Sequence, residues 1–564
     1  MADILSLLSG PAEARHWQRS GMASCCRLAC AALAQGRSSV ILVRDREEYT
    51  AARALLTLFS PSLSLADMAP DVPAWKLPFA ALPAGLLLRR DRDSWAGRLA
   101  ALYGLAQGGP RCLILSTEAL LLRHVPRDFF AEHTLDLTRG SDYPPELILD
   151  QAVEWGYERV PLVTRPGQMA RRGDIFDIFP SGYPRPVRME FFGDTLEELR
   201  LFDAESQRSL QGLDELTLLP ALPFVLDAQG LAAARKRMDA LFAGARISEN
   251  DCYTFKKTLD AGGLGLLPGV VHENASTIAD WLPEEPLWFL PGQADCDAAL
   301  HGTAMQLRDQ LEEDDAPLPQ PSALCLCGSL QDLPWEKARR FYLEPLVMGV
   351  DAVGDDVQER PLHAFTDLFP VPGAADRPWQ HLSAGLKEWQ NRRRQVVLSF
   401  SSQRSRAKFL KLAEQEGITP ALRYAPEQRG LFALVSPWRS GAELVWDDVL
   451  VLGEDILYPR AEKKARASSR AFKGLDSFDD LKAGDLLVHR DYGIGRFAGL
   501  HHLVQGGQGN DFLLVEYSGQ DRLYVPVDRL GLIQRFKGGE GAEPALDRLG
   551  GASWSSAWGV RPQG

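Results

Sequence analysis

The chain has 564 residues, a formal net charge of −13, and 45% hydrophobic with 24% charged residues, an ordinary globular balance that at roughly 150 residues per domain accommodates about four domains. The acidic excess gives no overall field toward phosphate backbones, which disfavours strong non-specific nucleic-acid binding and favours protein partners. No apolar run approaches the roughly 20 residues that cross a bilayer, so no membrane partner is expected; the start MADILSLLSGPAEARHW lacks a basic n-region and a long apolar h-region, so a cytoplasmic location is expected.

The first 115 residues read as an α/β unit, with a strand over 39–43, a helix over 47–59 and a strand over 112–115. Such folds hold phosphate with a glycine-rich loop that opens a helix, where backbone N–H groups and one lysine meet the charge. Where that loop belongs, the chain reads Gly21-Met-Ala-Ser-Cys-Cys-Arg-Leu-Ala, and no Gly-Lys dipeptide occurs anywhere in the sequence. The unit therefore reads as a nucleotide-binding relic that does not hydrolyse ATP, against the alternative of nucleotide binding through an atypical loop. The eight cysteines lack the paired spacing of a zinc site and the ten histidines show no ligand spacing, so buried thiols and no metal are expected.

From about 120 to 215 strands and turns take over, carrying RRGDIFDIFP (171–180) and VRMEFFGDTLEELRLFD (187–203). Ile175, Asp177 and Phe179 alternate with Phe176 and Ile178 as in a strand, Pro180-Ser-Gly-Tyr-Pro turns the chain, and a return strand begins at 189. Residues 216 to about 345 return to α/β character, with a helix over 231–241 and a strand over 287–290. The acidic run 312–315, followed by Pro317, Pro319 and Pro321, reads as a solvated loop. A further α/β unit spans about 376–456, with strands over 395–400, 431–436 and 449–452 and a helix over 402–416. The basic, small-residue stretch 460–473 reads as a flexible linker.

The last segment holds GDLLVHRDYGIGRF (484–497) and DFLLVEYSGQDRLYVPV (511–527). Leu486 and Val488 alternate with Leu487 and His489, and Phe512, Leu514 and Glu516 with Leu513, Val515 and Tyr517, the period-2 pattern of strands. Tyr492-Gly-Ile-Gly and Ser518-Gly-Gln-Asp read as turns, and Pro526 ends the last strand. A small SH3/Tudor-like β-barrel is expected.

This segment closely resembles the RNA polymerase interaction domain that the bacterial transcription-repair coupling factors share with CarD-like regulators. The blocks at 171–180 and 187–203 resemble the UvrB-like module with which the same family docks on UvrA. The resemblance implies an α/β multidomain protein. It further implies a degenerate RecA/UvrB-like fold in two parts (1–118 and 216–345) interrupted by an α+β UvrA-binding module (119–215), then a small α/β domain (376–456), a linker (457–478), the barrel (479–548) and a tail (549–564). In that family UvrA is contacted by two arginines and a phenylalanine, which correspond here to Arg172, Arg188 and Phe192. Guanidinium forks bind carboxylates directionally, and an adjacent aromatic adds desolvated area; the bland alternative is a pair of solvated arginines and a core phenylalanine.

The resemblance also places the contact with the polymerase β subunit on a sheet edge at Leu503 and Val504, where unpaired backbone groups continue a ladder into the partner. Leu503 is otherwise a barrel core residue, and one residue of register decides between the two. No counterpart of the aromatic hairpin with which UvrB grips damaged DNA is identifiable. The family continues into an ATP- and magnesium-dependent translocase, through which DNA is mainly engaged. The chain is thus expected to be an adaptor half with no catalytic residue or cofactor of its own, stopping before the motor with the UvrA-docking face open. A CarD-like regulator that binds DNA through the barrel is the remaining alternative.

Overall fold

The computed structural model describes residues 8, 14–60, 72–83, 85, 92–225, 227–283, 285–312, 321–327, 338–344, 355–369, 377–392, 394–457, 484–489, 493–505, 508–518, 521–526 and 533–535. Nearly all of the expected linker and the whole of the expected tail lie outside these residues. The chain divides into two compact units, Met1–Pro459 and Arg460–Gly564.

The first unit is built on a parallel sheet. Its strands are β1 (Ala14–Gln18), β2 (Ser39–Val43), β3 (Phe79–Leu82), β4 (Cys112–Ser116), and, much later in the chain, β13 (Leu287–Pro291), β14 (Arg339–Glu344) and β15 (Asp355–Asp356). They lie in the order β15-β1-β14-β13-β2-β4-β3. The sequences SVILV and CLILS of β2 and β4 are apolar throughout except for their end serines and buried at every position, as a parallel sheet covered on both faces requires.

Between β4 and β13 the chain forms a separate six-stranded sheet. It contains β6 (Glu158–Arg159), β7 (Gln168–Arg172), β8 (Ile175–Ile178), β9 (Val187–Phe192), β10 (Thr195–Phe202) and β11 (Ser209–Gly212), in the order β11-β10-β9-β8-β7-β6. Beside it, β5 (Leu135–Thr138) pairs with β12 (Glu215–Leu218). The inward face of this sheet, with Phe176, Ile178 and Met189, joins one continuous core with Leu42, Leu113 and Leu115 of the parallel sheet. The turn Pro180-Ser-Gly-Tyr-Pro makes the junction. Gly182 has φ +80°, its carbonyl accepts the Ala74 N–H at 2.8 Å, and a Cβ there would meet the Trp75 ring at 2.6 Å. Only glycine satisfies both the backbone and the close approach.

A third sheet follows: β16 (Glu359–Leu362), β17 (Gln395–Phe400), β18 (Gly430–Val435), β19 (Gly441–Leu444) and β20 (Val449–Gly453), in the order β16-β19-β20-β17-β18. One face packs on the helices Pro378–Asn391 and Gln403–Gln415. The other packs on the helices Met22–Ala34 and Arg46–Phe59, which are thereby clamped between two sheets in a shared core. The composition MASCCRLACAALA suits that place, because small side chains let a helix be buried on opposite sides at once. Cys25, Cys26, Ala29 and Ala32 are fully buried. All eight cysteines are free and six are buried, and among the described residues no cluster of metal-ligating side chains occurs.

One ion pair crosses this shared core. Arg27 Nε donates to Asp447 at 2.8 Å, and both side chains are 5% exposed or less. The guanidinium lies 5.9 Å from the ring centroids of both Phe59 and Tyr424.

The second unit contains β21 (Leu486–His489), β22 (Gly493–Gln505), β23 (Gln508–Glu516), β24 (Arg522–Pro526) and β25 (Ile533–Arg535), an antiparallel sheet in the order β24-β23-β22-β21-β25. The glycines expected to form a turn are strand residues instead. Gly493 and Gly495 are paired residues of β22, opposite His489 and Leu487. Gly495 serves close packing, since a Cβ there would meet Val515 at 2.5 Å.

Asp447→Ala would leave the Arg27 cation buried without its partner, so a loss of about 3–5 kcal/mol in chemical denaturation is expected. Arg27→Met with Asp447→Leu should cost far less, because no charge is then left buried.

Candidate interaction sites

Strand pleating brings the three expected UvrA-contact residues to one face. Asp177 of β8 pairs with Arg188 of β9, Ile175 pairs with both Arg172 and Glu190, and residues 188, 190 and 192 alternate onto the same side. Phe192 ends β9 with 75% of its surface exposed, so it is not a core phenylalanine. The opposite side of the same strands carries Phe176, Ile178, Met189 and Phe191 into the core.

The two arginines are not equivalent. Arg188 is bidentate to Asp177, with Nε and Nη2 donating at 2.7 and 2.8 Å, and its guanidinium carbon sits 4.7 Å from the Phe202 ring centroid. These hydrogen bonds hold its pKa above the ordinary guanidinium value. Its side chain is 16% exposed, whereas that of Arg172, which reaches Asp177 through one nitrogen at 3.1 Å, is 55% exposed. Neither is a freely solvated arginine: one buried carboxylate, only 1% exposed, orients both. Asp177 escaped the sequence reading because a carboxylate alternating with apolar residues reads as the wet side of a strand. The signal was its register opposite Arg188, which only strand pairing reveals.

In the second unit, Leu503 and Val504 lie in the long strand β22, opposite Asn510 and Gly509 of β23. On the other side of β22, β21 pairs with residues 493–496 only, and the last described backbone link is that between Phe497 and Asp485. Beyond it, among the described residues, residues 499–505 have a ladder partner on one side only.

At the start of the helix Met22–Ala34, where a phosphate loop belongs in a nucleotide-binding fold, a carboxylate is already present. Glu359 Oε2 accepts from Gly21 N at 3.0 Å and Ser24 N at 2.8 Å. Burial pushes its carboxyl above the ordinary range, while the N–H groups of Ser24, Gly21 and Ala23 pull the other way. Glu359 lies outside every motif, and its 338-residue separation from Gly21 hides the contact from sequence.

Asp177→Asn should lower stability by about 3 kcal/mol in urea denaturation, because it strips a buried carboxylate from two cations. Phe192→Ala, at an exposed position, should stay within about 0.5 kcal/mol of the parent.

Residues 135–224 match the UvrB interaction domain family and residues 481–537 the CarD-like/TRCF RID domain family. Among curated proteins, the chain is 30% identical over 495 residues to the transcription-repair-coupling factor of Myxococcus xanthus, covering 82% of this chain and 41% of that protein. The corresponding proteins of Escherichia coli (strain K12) and Bacillus subtilis (strain 168) are 27% and 25% identical, over 83% and 81% of this chain and 41% and 40% of their own lengths. The chain thus spans about two fifths of the length of these relatives. Two segments of the chain thus match the UvrB interaction domain and CarD-like/TRCF RID domain families, and over 82% of its length it is similar to the transcription-repair-coupling factor of Myxococcus xanthus.

Proposed function

We propose that this chain is an adaptor in transcription-coupled nucleotide-excision repair, gripping RNA polymerase with the RID domain and recruiting UvrA through the UvrB interaction domain. The observation that carries the reading is the joining of these two protein-interaction domains in one chain. Phe192 standing proud beside two arginines supports a docking face, since an exposed aromatic with oriented guanidinium groups is the composition of interface hot spots. The stretch 499–505 of β22, with a ladder partner on one side among the described residues, supports polymerase docking by strand addition at Leu503 and Val504. The antiparallel sheet of the second unit is taken to close as a small SH3/Tudor-like barrel.

The first domain is proposed to be a RecA/UvrB-like relic in two parts, 1–118 and 216–345, around the module at 119–215, with the unit at 376–456 packed behind it. The parallel sheet fed by both parts supports this division. The missing Gly-Lys step and the carboxylate at the start of the helix Met22–Ala34 support the view that this chain does no ATP-driven work. The proposed partners place its action in the cytoplasm.

Two measurements test the adaptor. The chain should co-elute with core RNA polymerase without ATP, and Leu503→Arg should abolish co-elution; equal binding by both would remove the strand edge as the docking site, and no binding by either would remove the polymerase from the proposal. Phe192→Ala should weaken UvrA binding at least about thirtyfold in calorimetry, the effect of losing a hot spot worth about 2 kcal/mol. Unchanged affinity would displace the contact to another face.

Titration of the whole chain with a fluorescent ATP analogue should show no saturable micromolar binding. Saturable binding would overturn the relic.

A further inference from the structure

Glu359 stands where the chain passes from one sheet to the next. Trp17 and Gln18 of β1 pair with Asp355 and Asp356, Val357 N donates to Gln18 O, and Glu359 N donates to Arg19 O at 2.6 Å. Gln358 then takes a left-handed φ of +53°, and from Glu359 onward the chain is paired with β19 in the other sheet. The carboxylate is therefore positioned by backbone on both sides before it meets the helix.

The helix start is fitted to receive it. Gly21 is extended, with φ −148° and ψ −170°, and supplies no side-chain cap. A Cβ at Gly21 would meet Glu359 Oε1 at 2.6 Å and Cδ at 3.0 Å, so the absent side chain is the space the carboxylate fills. Ser24 is gripped twice: its N–H donates to Glu359 of β16, and its hydroxyl accepts from Trp446 Nε1, in the turn between β19 and β20, at 3.0 Å. Among the described residues no lysine or arginine is paired with Glu359; its charge is met by the free N–H groups and positive dipole end of the helix.

We infer that Glu359 is a built-in anion, a clasp that occupies the phosphate-accepting end of the helix Met22–Ala34 from within and locks the third sheet onto the first layer. It rests on the reading of the first domain as a nucleotide-binding relic and deepens it. Loss of the phosphate loop is matched by an internal carboxylate delivered to the same helix end, which keeps the buried N–H groups satisfied and excludes outside phosphate.

The test uses the whole chain and four proteins: the parent, Glu359→Ala, Glu359→Gln and Gly21→Ala. Melting is followed in sodium chloride and in sodium sulfate or phosphate at matched ionic strength, the parent supplying the general salting effect. Glu359→Ala should melt lower, by on the order of 3–5 °C, and should recover more in sulfate or phosphate than the parent does, because the vacated helix end then takes the ion. Gly21→Ala should also melt lower but gain no more than the parent, its methyl group filling the cradle. Glu359→Gln, which keeps shape and loses charge, should fall less than Glu359→Ala. An unchanged melting temperature in Glu359→Ala, or equal sulfate gains in all four proteins, overturns the clasp while leaving the relic standing. Saturable ATP binding by the parent overturns the relic itself, so the two failures are distinct.

Discussion

The architecture of the first unit depends on burying one helix, Met22–Ala34, between two sheets. A helix in that position has no wet face, so the usual amphipathic stripe is replaced by alanine and cysteine around most of its circumference. The small side chains allow close approach from both directions, and the dispersion contacts of a densely packed interior follow. The cost is that every polar group carried in must find a partner inside. Arg27 finds Asp447, Ser24 finds Trp446, and the N–H groups at the helix start find Glu359, all three partners coming from the chain beyond residue 355. The third sheet therefore completes the first layer's hydrogen bonding as well as its apolar surface.

The six-stranded sheet solves a different problem: presenting polar groups outward at fixed angles on a surface whose other side is core. Here the pleat does the sorting. Phe176, Ile178 and Met189 enter the shared core, while Asp177, Arg188 and Phe192 lie on the opposite face, where Phe192 is exposed and Asp177 is covered by the arginines. A single carboxylate at 1% exposure would be costly alone, but with three guanidinium nitrogens on it the charge is compensated, and the arginines lose the rotamer freedom that would otherwise oppose docking. The outward face is thus arranged before any partner arrives.

Much of this could be read from sequence where the physics is local. The strands at 39–43 and 395–400 agree with the expected bounds, because apolar runs flanked by polar residues leave little freedom, and the helix expected at 402–416 forms over Gln403–Gln415, with Ser402 capping it. Contacts made by chain segments far apart in sequence could not be read. Asp177 looks like an ordinary exposed strand residue until β9 is laid beside β8, and Glu359 is one carboxylate among many until the chain folds back 338 residues. The glycines of Tyr492-Gly-Ile-Gly suggested a turn because composition cannot separate a glycine needed for its backbone from one needed for its missing side chain. Gly495 is of the second kind.

The six-stranded module is entered after β5 and left before β12, and these two strands pair with Thr138 opposite Glu215, so the points of entry and exit are about 5 Å apart. Two anchorages that close would ordinarily act as a swivel. Here Trp75 packs edge-on against Tyr183 with ring centroids 5.1 Å apart, Gly182 sits flush on the Trp75 ring, and one apolar core runs through the junction. The joint is therefore stiff, and a pull applied at Phe192 passes through the packed junction into the parallel sheet and on to the helix clamped behind it. The module is a fixed bracket rather than a baited line, and any load it bears is shared with the layers behind it.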